Sequence, residues 1–152
     1  MIPPFDKHGN LPPGEHPTTW EMLEIRYATT VHRIHLLTGL RAALEAFRLA
    51  GCRTVWIDGS FISSKTDPND IDVLFDDAHL DWEELRLNEP VLLDHKNKSS
   101  AMKRKFGCEC YAVSWLAGMD GEPFLEFFQH TRDGQRKGIL RLDLSLLEEV
   151  IL

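Results

Sequence analysis

Val55-Trp56-Ile57-Asp58-Gly59-Ser60-Phe61-Ile62-Ser63-Ser64-Lys65-Thr66-Asp67-Pro68-Asn69-Asp70-Ile71-Asp72-Val73-Leu74-Phe75 decides how the chain is read. A β-branched and aromatic run ends in Gly59-Ser60, a polar turn-rich segment follows, and a second apolar run carries acids at Asp70 and Asp72. Side chains alternate faces along a strand, so Asp70 and Asp72 point the same way, about 7 Å apart, while Ile71 and Val73 point into a core. Two carboxylates on one face repel unless a cation lies between them, and a hard divalent ion such as Mg2+ or Mn2+ answers that need. The pair reads as half of a metal site. Gly59 lets the backbone approach a ligand closely, and the Ser60 hydroxyl with the amides after it can donate to phosphate oxygens.

Gly59-Ser60, nine residues from Phe61 to Asn69, then Asp70-Ile71-Asp72 and further apolar residues resemble the signature of the polymerase-β-type nucleotidyltransferase superfamily, in particular its minimal members. The resemblance implies a mixed sheet flanked by helices, an α/β (α+β) fold in one domain. It implies that Gly59 and Ser60 hold the phosphates of a nucleoside triphosphate (NTP) and that Asp70 and Asp72 hold Mg2+. It further implies a third acid on a later strand and transfer of a nucleoside monophosphate to a hydroxyl of a protein or RNA acceptor. More widely, the opening Ile2-Pro3-Pro4-Phe5-Asp6, the Asp58-Gly59-Ser60-Phe61 turn and the late Phe124-Leu125-Glu126-Phe127-Phe128-Gln129 resemble a group of small prokaryotic and phage proteins without an assigned activity. Minimal nucleotidyltransferases also resemble one half of two-gene toxin–antitoxin or phage-defence modules, in which the small protein acts on or restrains a partner.

Two residues compete for the third carboxylate. Asp94 ends an apolar run, Val91 to Leu93, expected to form a third strand. Glu126 sits between apolar neighbours in a second expected strand, Pro123 to Gln129, and a carboxylate in such surroundings is seldom without a partner. Lys65 lies in the loop between the Gly-Ser turn and the acid pair, where its ammonium can reach a triphosphate. A denser basic cluster, Lys96, Lys98, Lys103, Arg104 and Lys105, is expected beside the acids, on a short helix capped at Ser99-Ser100 and ended by Gly107.

The remainder frames this centre. Residues 1–17 hold five of the eight prolines and are expected to form an extended arm with a turn at His8-Gly9-Asn10, packed by Ile2, Phe5 and Leu11 onto a domain spanning residues 18–152. Thr18-Thr19-Trp20-Glu21 predicts a short helix to Ala28, and Thr29-Thr30 a second one with its apolar stripe at Ile34, Leu37, Leu40, Leu44 and Phe47. Arg33, Arg41, Glu45 and Arg48 are placed on its exposed face. Asp81 opens a third helix, stopped by Pro90. Cys108 to Trp115 and Pro123 to Gln129 read as strands joined by a turn at Gly118-Met119-Asp120-Gly121; Arg132-Asp133-Gly134 is a turn, Gly138 to Leu142 a strand, and Leu144 to Leu152 an apolar helix or strand.

At 152 residues with 43% hydrophobic and 27% charged residues the chain suits one globular domain. No apolar run approaches a membrane span and no secretory leader is evident, so a cytoplasmic protein is expected. Cys52, Cys108 and Cys110 are too few for a disulfide framework; Cys108-Glu109-Cys110 is expected to point opposite ways along a strand and to make a poor zinc site. The seven histidines lack a His-x-x-x-His pair and read as surface or satisfied polar residues. A net charge of -7 opposes indiscriminate nucleic-acid binding. Two other readings share the scaffold: a non-catalytic interaction protein using Trp20, Trp82 and Trp115 as anchors, and an oligonucleotide or nucleotide-signal synthase, disfavoured because nothing in this sequence resembles the extra helical domain that such enzymes usually add.

Overall fold

The computed structural model of the chain describes residues 1–117 and 121–147. Its centre is a five-stranded mixed sheet in the order β1 (Gly14–Thr18), β7 (Gly138–Asp143), β2 (Thr54–Asp58), β3 (Ile71–Phe75) and β4 (Cys108–Ala112). The β2–β3 and β2–β7 pairs are antiparallel, whereas β1–β7 and β3–β4 are parallel. A small antiparallel pair, β5 (Leu116–Ala117) and β6 (Glu122–Pro123), follows β4 and leads into one helical turn, α5 (Phe124–Phe127). This is the expected mixed sheet with helices in one domain.

One face of the sheet is covered by helices. Thr19 caps α1 (Trp20–Tyr27) by accepting from the Met22 amide, and Thr30 caps α2 (Val31–Leu49) by accepting from Arg33. Leu36, Leu37, Leu40, Ala43, Leu44 and Phe47 of α2 are buried, and Phe47 stacks on Phe75 of β3 at 4.5 Å between ring centroids. Ile34 departs from the expected stripe and is 50% exposed. Arg33 departs in the other direction: it is buried, and its guanidinium donates to the carbonyls of Phe61 and Lys65 at 2.6 Å each and of Ser63 at 3.3 Å. The loop after the Gly-Ser turn is thereby wrapped around a buried cation. Gly39 allows the closest helix approach, since a Cβ there would lie 2.2 Å from the Phe106 carbonyl oxygen.

α3 (Trp82–Asn88) is capped by Asp81, whose side chain accepts from the Glu84 amide. α4 spans Lys96–Phe106, with Asn97, Lys98 and Ser99 in left-handed conformation, and ends at Gly107 with φ 65°. Val91 to Asp94 is not a strand. Pro90 presets φ for a tight turn, and Pro90–Leu93 forms a 3-10 helix that buries Leu92 alone. Pro123 to Gln129 is not a strand either. After Pro123 the chain coils into α5, which sets Phe124 and Phe128 four residues apart against Tyr111 of β4, at 4.7 and 5.9 Å between centroids.

The proline-rich arm does more than pack. Its turn forms at residues 7–10, Ile2 and Leu11 are buried, and its end becomes edge strand β1, so the sheet continues across the expected boundary at residues 17 and 18. Cys108 and Cys110 both face the core, contrary to the expected opposite orientation, because residues two apart on a strand share a face; Glu109 points the other way. Trp82 stacks on Trp115 at 5.9 Å over the edge of Phe75, so both tryptophans border the core, as does Trp20. Residues 144–146 form a 3-10 turn; the expectations for 118–120 and 148–152 lie outside the described residues. No helix among the described residues is long and apolar enough to cross a membrane.

Candidate active site

Strand register assembles the centre. Asp58 on β2 is directly opposite Asp72 on β3, and Asp72 is paired in turn with Glu109 on β4. Paired residues on neighbouring strands face the same way, so three carboxylates form one row across three strands, with strands about 4.8 Å apart. Asp70, two residues earlier on the Asp72 side of β3, extends the row into a patch. The next row along the same face is Trp56, Leu74 and Tyr111, the first two buried and the third packed under α5. Acid row and apolar row adjoin.

Like charges at about 5 Å and an effective dielectric of about 20 repel by about 3 kcal/mol, more than an exposed ion pair returns. The site carries that repulsion visibly. Burial pushes the Asp72 carboxyl up to about 7, with Asp70, Asp58 and Glu109 adding to the rise and Lys137 opposing it. Asp58 is raised as well, chiefly by burial, with Lys137 and the Gly59 amide opposing the rise; it is 1% exposed. Lys137 Nζ lies 3.1 Å from Asp58 Oδ1 as its ionic partner. Lys103 Nζ bridges the opposite flank, 3.6 Å from Asp70 Oδ2 and 3.7 Å from Glu109 Oε2.

Gly59 is required where it stands. Its φ is 88°, and a Cβ would lie 2.7 Å from Asp72 Oδ2. The Gly-Ser turn therefore lies directly against the Asp72 carboxylate, with Ser60 starting a short 3-10 helix, Ser60–Ile62. Both face a cleft of about 940 Å3. Asp58, Asp70 and Asp72 line one side; Lys65, Arg132 and Lys137 bring positive charge, and Phe127 and Phe128 an apolar wall. Such a cleft suits a polyanion joined to the acids through a divalent cation.

Of the residues singled out in the sequence, Gly59, Ser60, Lys65, Asp70 and Asp72 are brought together in this cleft. Asp94 and Glu126 are not. Asp94 follows the 3-10 turn and accepts from the Lys96 amide, while Glu126 is exposed on α5; neither lines the cleft nor figures among the charges acting on Asp72. Of the basic cluster, Lys103 reaches the acids, whereas Lys105 pairs with Glu89. Sequence reasoning missed Glu109, Asp58 and Lys137. Glu109 had a signal: a buried free cysteine behaves as a small hydrophobe, so Cys108-Glu109-Cys110 is an apolar-acid-apolar strand. Glu122, Glu126 and His130 also converge, with donor atoms within 4.8 Å of one another, and Glu122 and His130 line the cleft.

The donor set fits a hard divalent cation: carboxylates crowded on adjacent strands, with the carboxyls of Asp72 and Asp58 both raised. Asp70 and Asp72 would hold it, with Glu109 beside them. No curated protein and no solved structure matches the chain. Residues 3–143 match the model of a family of unknown function, DUF6932, and the chain belongs to that family.

Proposed function

We propose that this protein is a nucleotidyltransferase that uses Mg2+ or Mn2+ to transfer a nucleoside monophosphate from an NTP to a hydroxyl of a protein or RNA acceptor in the cytoplasm. The observation that carries the reading is the carboxylate row Asp58, Asp72 and Glu109, with Asp70 beside it, of which Asp58, Asp70 and Asp72 line a cleft together with Lys65, Arg132 and Lys137. Acids and cations lining one cleft match a metal-bound triphosphate better than a neutral ligand. The bound cation supplies charge neutralisation at the α-phosphate. Gly59 and Ser60 receive the phosphates at the turn, Asp70 and Asp72 hold the cation, and the exposed Phe127 ring offers a stacking face for the base. The acceptor oxygen forms a bond to the α-phosphorus as the bond to the β-phosphate oxygen breaks and pyrophosphate leaves. The acceptor proton passes to Glu109, the carboxylate of the row that neither holds the cation nor pairs with Lys137; its own partner is Lys103, at 3.7 Å.

The deciding experiment is calorimetric titration with each of the four NTPs in Mg2+ or Mn2+, for the wild type and for Asp70→Asn/Asp72→Asn. Metal-dependent binding that disappears in the double variant is the expected result. Absence of NTP binding by the folded wild type rejects the proposal. One observation favours a non-catalytic protein-binding partner, antitoxin-like or regulatory, on the same scaffold: Lys103 already bridges Asp70 and Glu109 as an internal counter-ion. That reading expects a melting temperature indifferent to Mg2+.

A further inference from the structure

Away from the acid row, a mixed set of metal-ligating side chains converges. Glu122, Glu126 and His130 follow one another at four-residue intervals, and one donor atom from each lies within 4.8 Å of the other two. Glu122 belongs to β6, Glu126 to α5, and His130 to the turn that continues α5. In that turn the Phe128 amide donates to the Phe124 carbonyl at 2.9 Å, Gln129 to Glu126 at 3.1 Å and His130 to Phe127 at 3.3 Å. Residues four apart on such a coil share a face, so Glu126 and His130 turn to the side where β6 delivers Glu122.

The imidazole is prepared as a ligand. Its Nδ1 lies 3.0 Å from the Glu126 carbonyl oxygen, which can only accept, so Nδ1 carries the proton and the Nε2 lone pair of the neutral ring is left for a cation. The backbone behind it is held by the His130–Arg136 bridge and by the Lys137 amide, which donates to the Gln129 carbonyl at 2.8 Å. The Glu122 and Glu126 carboxylates have neither an ion pair nor a side-chain hydrogen bond among the described residues. Their two charges match one divalent cation. Ligands about 2.1 Å from a shared ion stand about 3.4 Å apart in tetrahedral geometry, so shifts of about 1 Å by side-chain rotation close the set. An imidazole beside carboxylates favours a borderline ion such as Zn2+ over Mg2+, which keeps to oxygen. None of the three is among the charges that chiefly shift Asp72, which separates this set from the acid row. Its position also suggests a task. A helix of four residues is far too short to sustain itself, and α5 packs on Tyr111 by one side while Glu126 and Phe127 on the other are exposed.

We infer that Glu122, Glu126 and His130 bind a Zn2+ ion that ties β6, α5 and the segment returning to β7 together, a structural site that pins the wall carrying Phe127 and Phe128. The inference stands whether or not the cleft takes an NTP. The probe is Zn2+, titrated by calorimetry into metal-free Asp70→Asn/Asp72→Asn protein, whose acid row is disabled, with Mg2+ in excess. One equivalent is expected to bind with a Kd below about 10 μM, weakened at least about tenfold by His130→Ala and by Glu122→Gln. Because His130 also holds the end of α5 through Nδ1, Glu126→Gln, at an exposed position, is measured beside it. It is expected to cost as much Zn2+ affinity with an unchanged circular dichroism spectrum. Hydrogen exchange locates the ion: Zn2+ is expected to slow the amides of Phe128, Gln129 and His130 and to leave those of β2 and β3 as they were. In Mg2+ alone the pin stays empty, so Glu126→Gln in the wild-type background keeps its NTP affinity. Zn2+ that does not bind, or that binds equally to the parent and all three variants, overturns the inference. So does a Zn2+ site whose filling leaves exchange in α5 and its following turn unchanged.

Discussion

The two faces of the sheet are written by the same five-residue strands and hold opposite contents. On β3 the inward residues Ile71, Val73 and Phe75 are fully buried under helices, while the outward Asp72 faces water across a cleft. On β4, Cys108, Cys110 and Ala112 face in and Glu109 and Tyr111 face out. The inner face is self-sufficient: apolar, close-packed and free of charge. The outer face is unfinished, with a charge row that the chain alone only partly neutralises through Lys103 and Lys137. The acid row is confined to one end of the outer face, beside the apolar row of Trp56, Leu74 and Tyr111, so variants in the acid row and on the inner face have separable consequences.

The largest effect is expected on the inner face. Gly39→Ala places a methyl group 2.2 Å from a backbone carbonyl, where no side chain can yield, so α2 and α4 must move apart. A loss of about 3 kcal/mol in urea unfolding is expected, with nucleotide affinity of the remaining folded protein unchanged. A loss below about 1 kcal/mol means that α2 and α4 separate at little cost, and that the inner face is not close-packed at this contact.

Next is the outer face alone. Glu109→Gln keeps the shape of the row but removes one charge, and metal-dependent NTP binding is expected to weaken about tenfold or more with no loss of fold. Asp94→Asn and Glu126→Gln are expected to stay within about twofold of wild type, since neither belongs to the row that strand pairing builds around Asp72. An effect at Asp94 or Glu126 equal to that at Glu109 breaks the assignment of the third acid.

These acids also show what was legible in the sequence. Period-two alternation and a Gly-Ser turn are local properties, so β2, β3 and the Asp70–Asp72 pair could be read directly, as could the caps at Thr19, Thr30, Asp81 and Gly107. Glu109 was hidden by chemistry: attention to thiols obscured that the two cysteines serve as core residues around an outward acid. The strand expected around Glu126 failed because Phe124-Leu125-Glu126-Phe127-Phe128 is short enough to satisfy a strand or a helical turn, and the preceding proline with the Tyr111 ring decided for the turn. Lys137 and Arg33 were illegible for a different reason. Their roles come from partners 79 and 28 residues away, Asp58 and Phe61, and no local pattern encodes such pairings.

The pH dependence of stability follows from the outer face. Asp72 moves from 3.8 to about 7 on folding, and Asp58 shifts in the same direction, so the folded state binds more protons than the unfolded one between these values. The stabilising protonation is complete below about pH 4 and is lost as pH rises through about 7. Metal-free protein is therefore expected to be less stable at pH 8 than at pH 5.5, on the order of 2 kcal/mol, and Mg2+ or Mn2+ is expected to recover most of the difference at pH 8. Depressed acids such as Glu45 titrate below this window and do not mask it. Thermal melts at both pH values with and without metal decide the point; stability that rises from pH 5.5 to pH 8 contradicts a strained carboxylate row.

The smallest effect separates what looks like core from what is core. Ile34 and Leu37 sit one turn apart on α2, both apolar and both placed on the same stripe by sequence periodicity, yet Leu37 is 4% exposed and Ile34 50%. The cause is geometric. The helix turns through 3.6 residues, and buried positions 33, 36, 37, 40, 43, 44 and 47 place Arg33, not Ile34, at the inward start of the stripe. Arg33 takes that position because it faces the carbonyls of the Gly-Ser loop rather than the apolar sheet centre. Ile34→Gln is accordingly expected to change stability by less than about 0.5 kcal/mol, against about 3 kcal/mol for Leu37→Ala. Denaturant melts of the two variants test this directly. A loss at Ile34 approaching that at Leu37 places the first turn of α2 in the core after all, and displaces Arg33 from the loop that it holds.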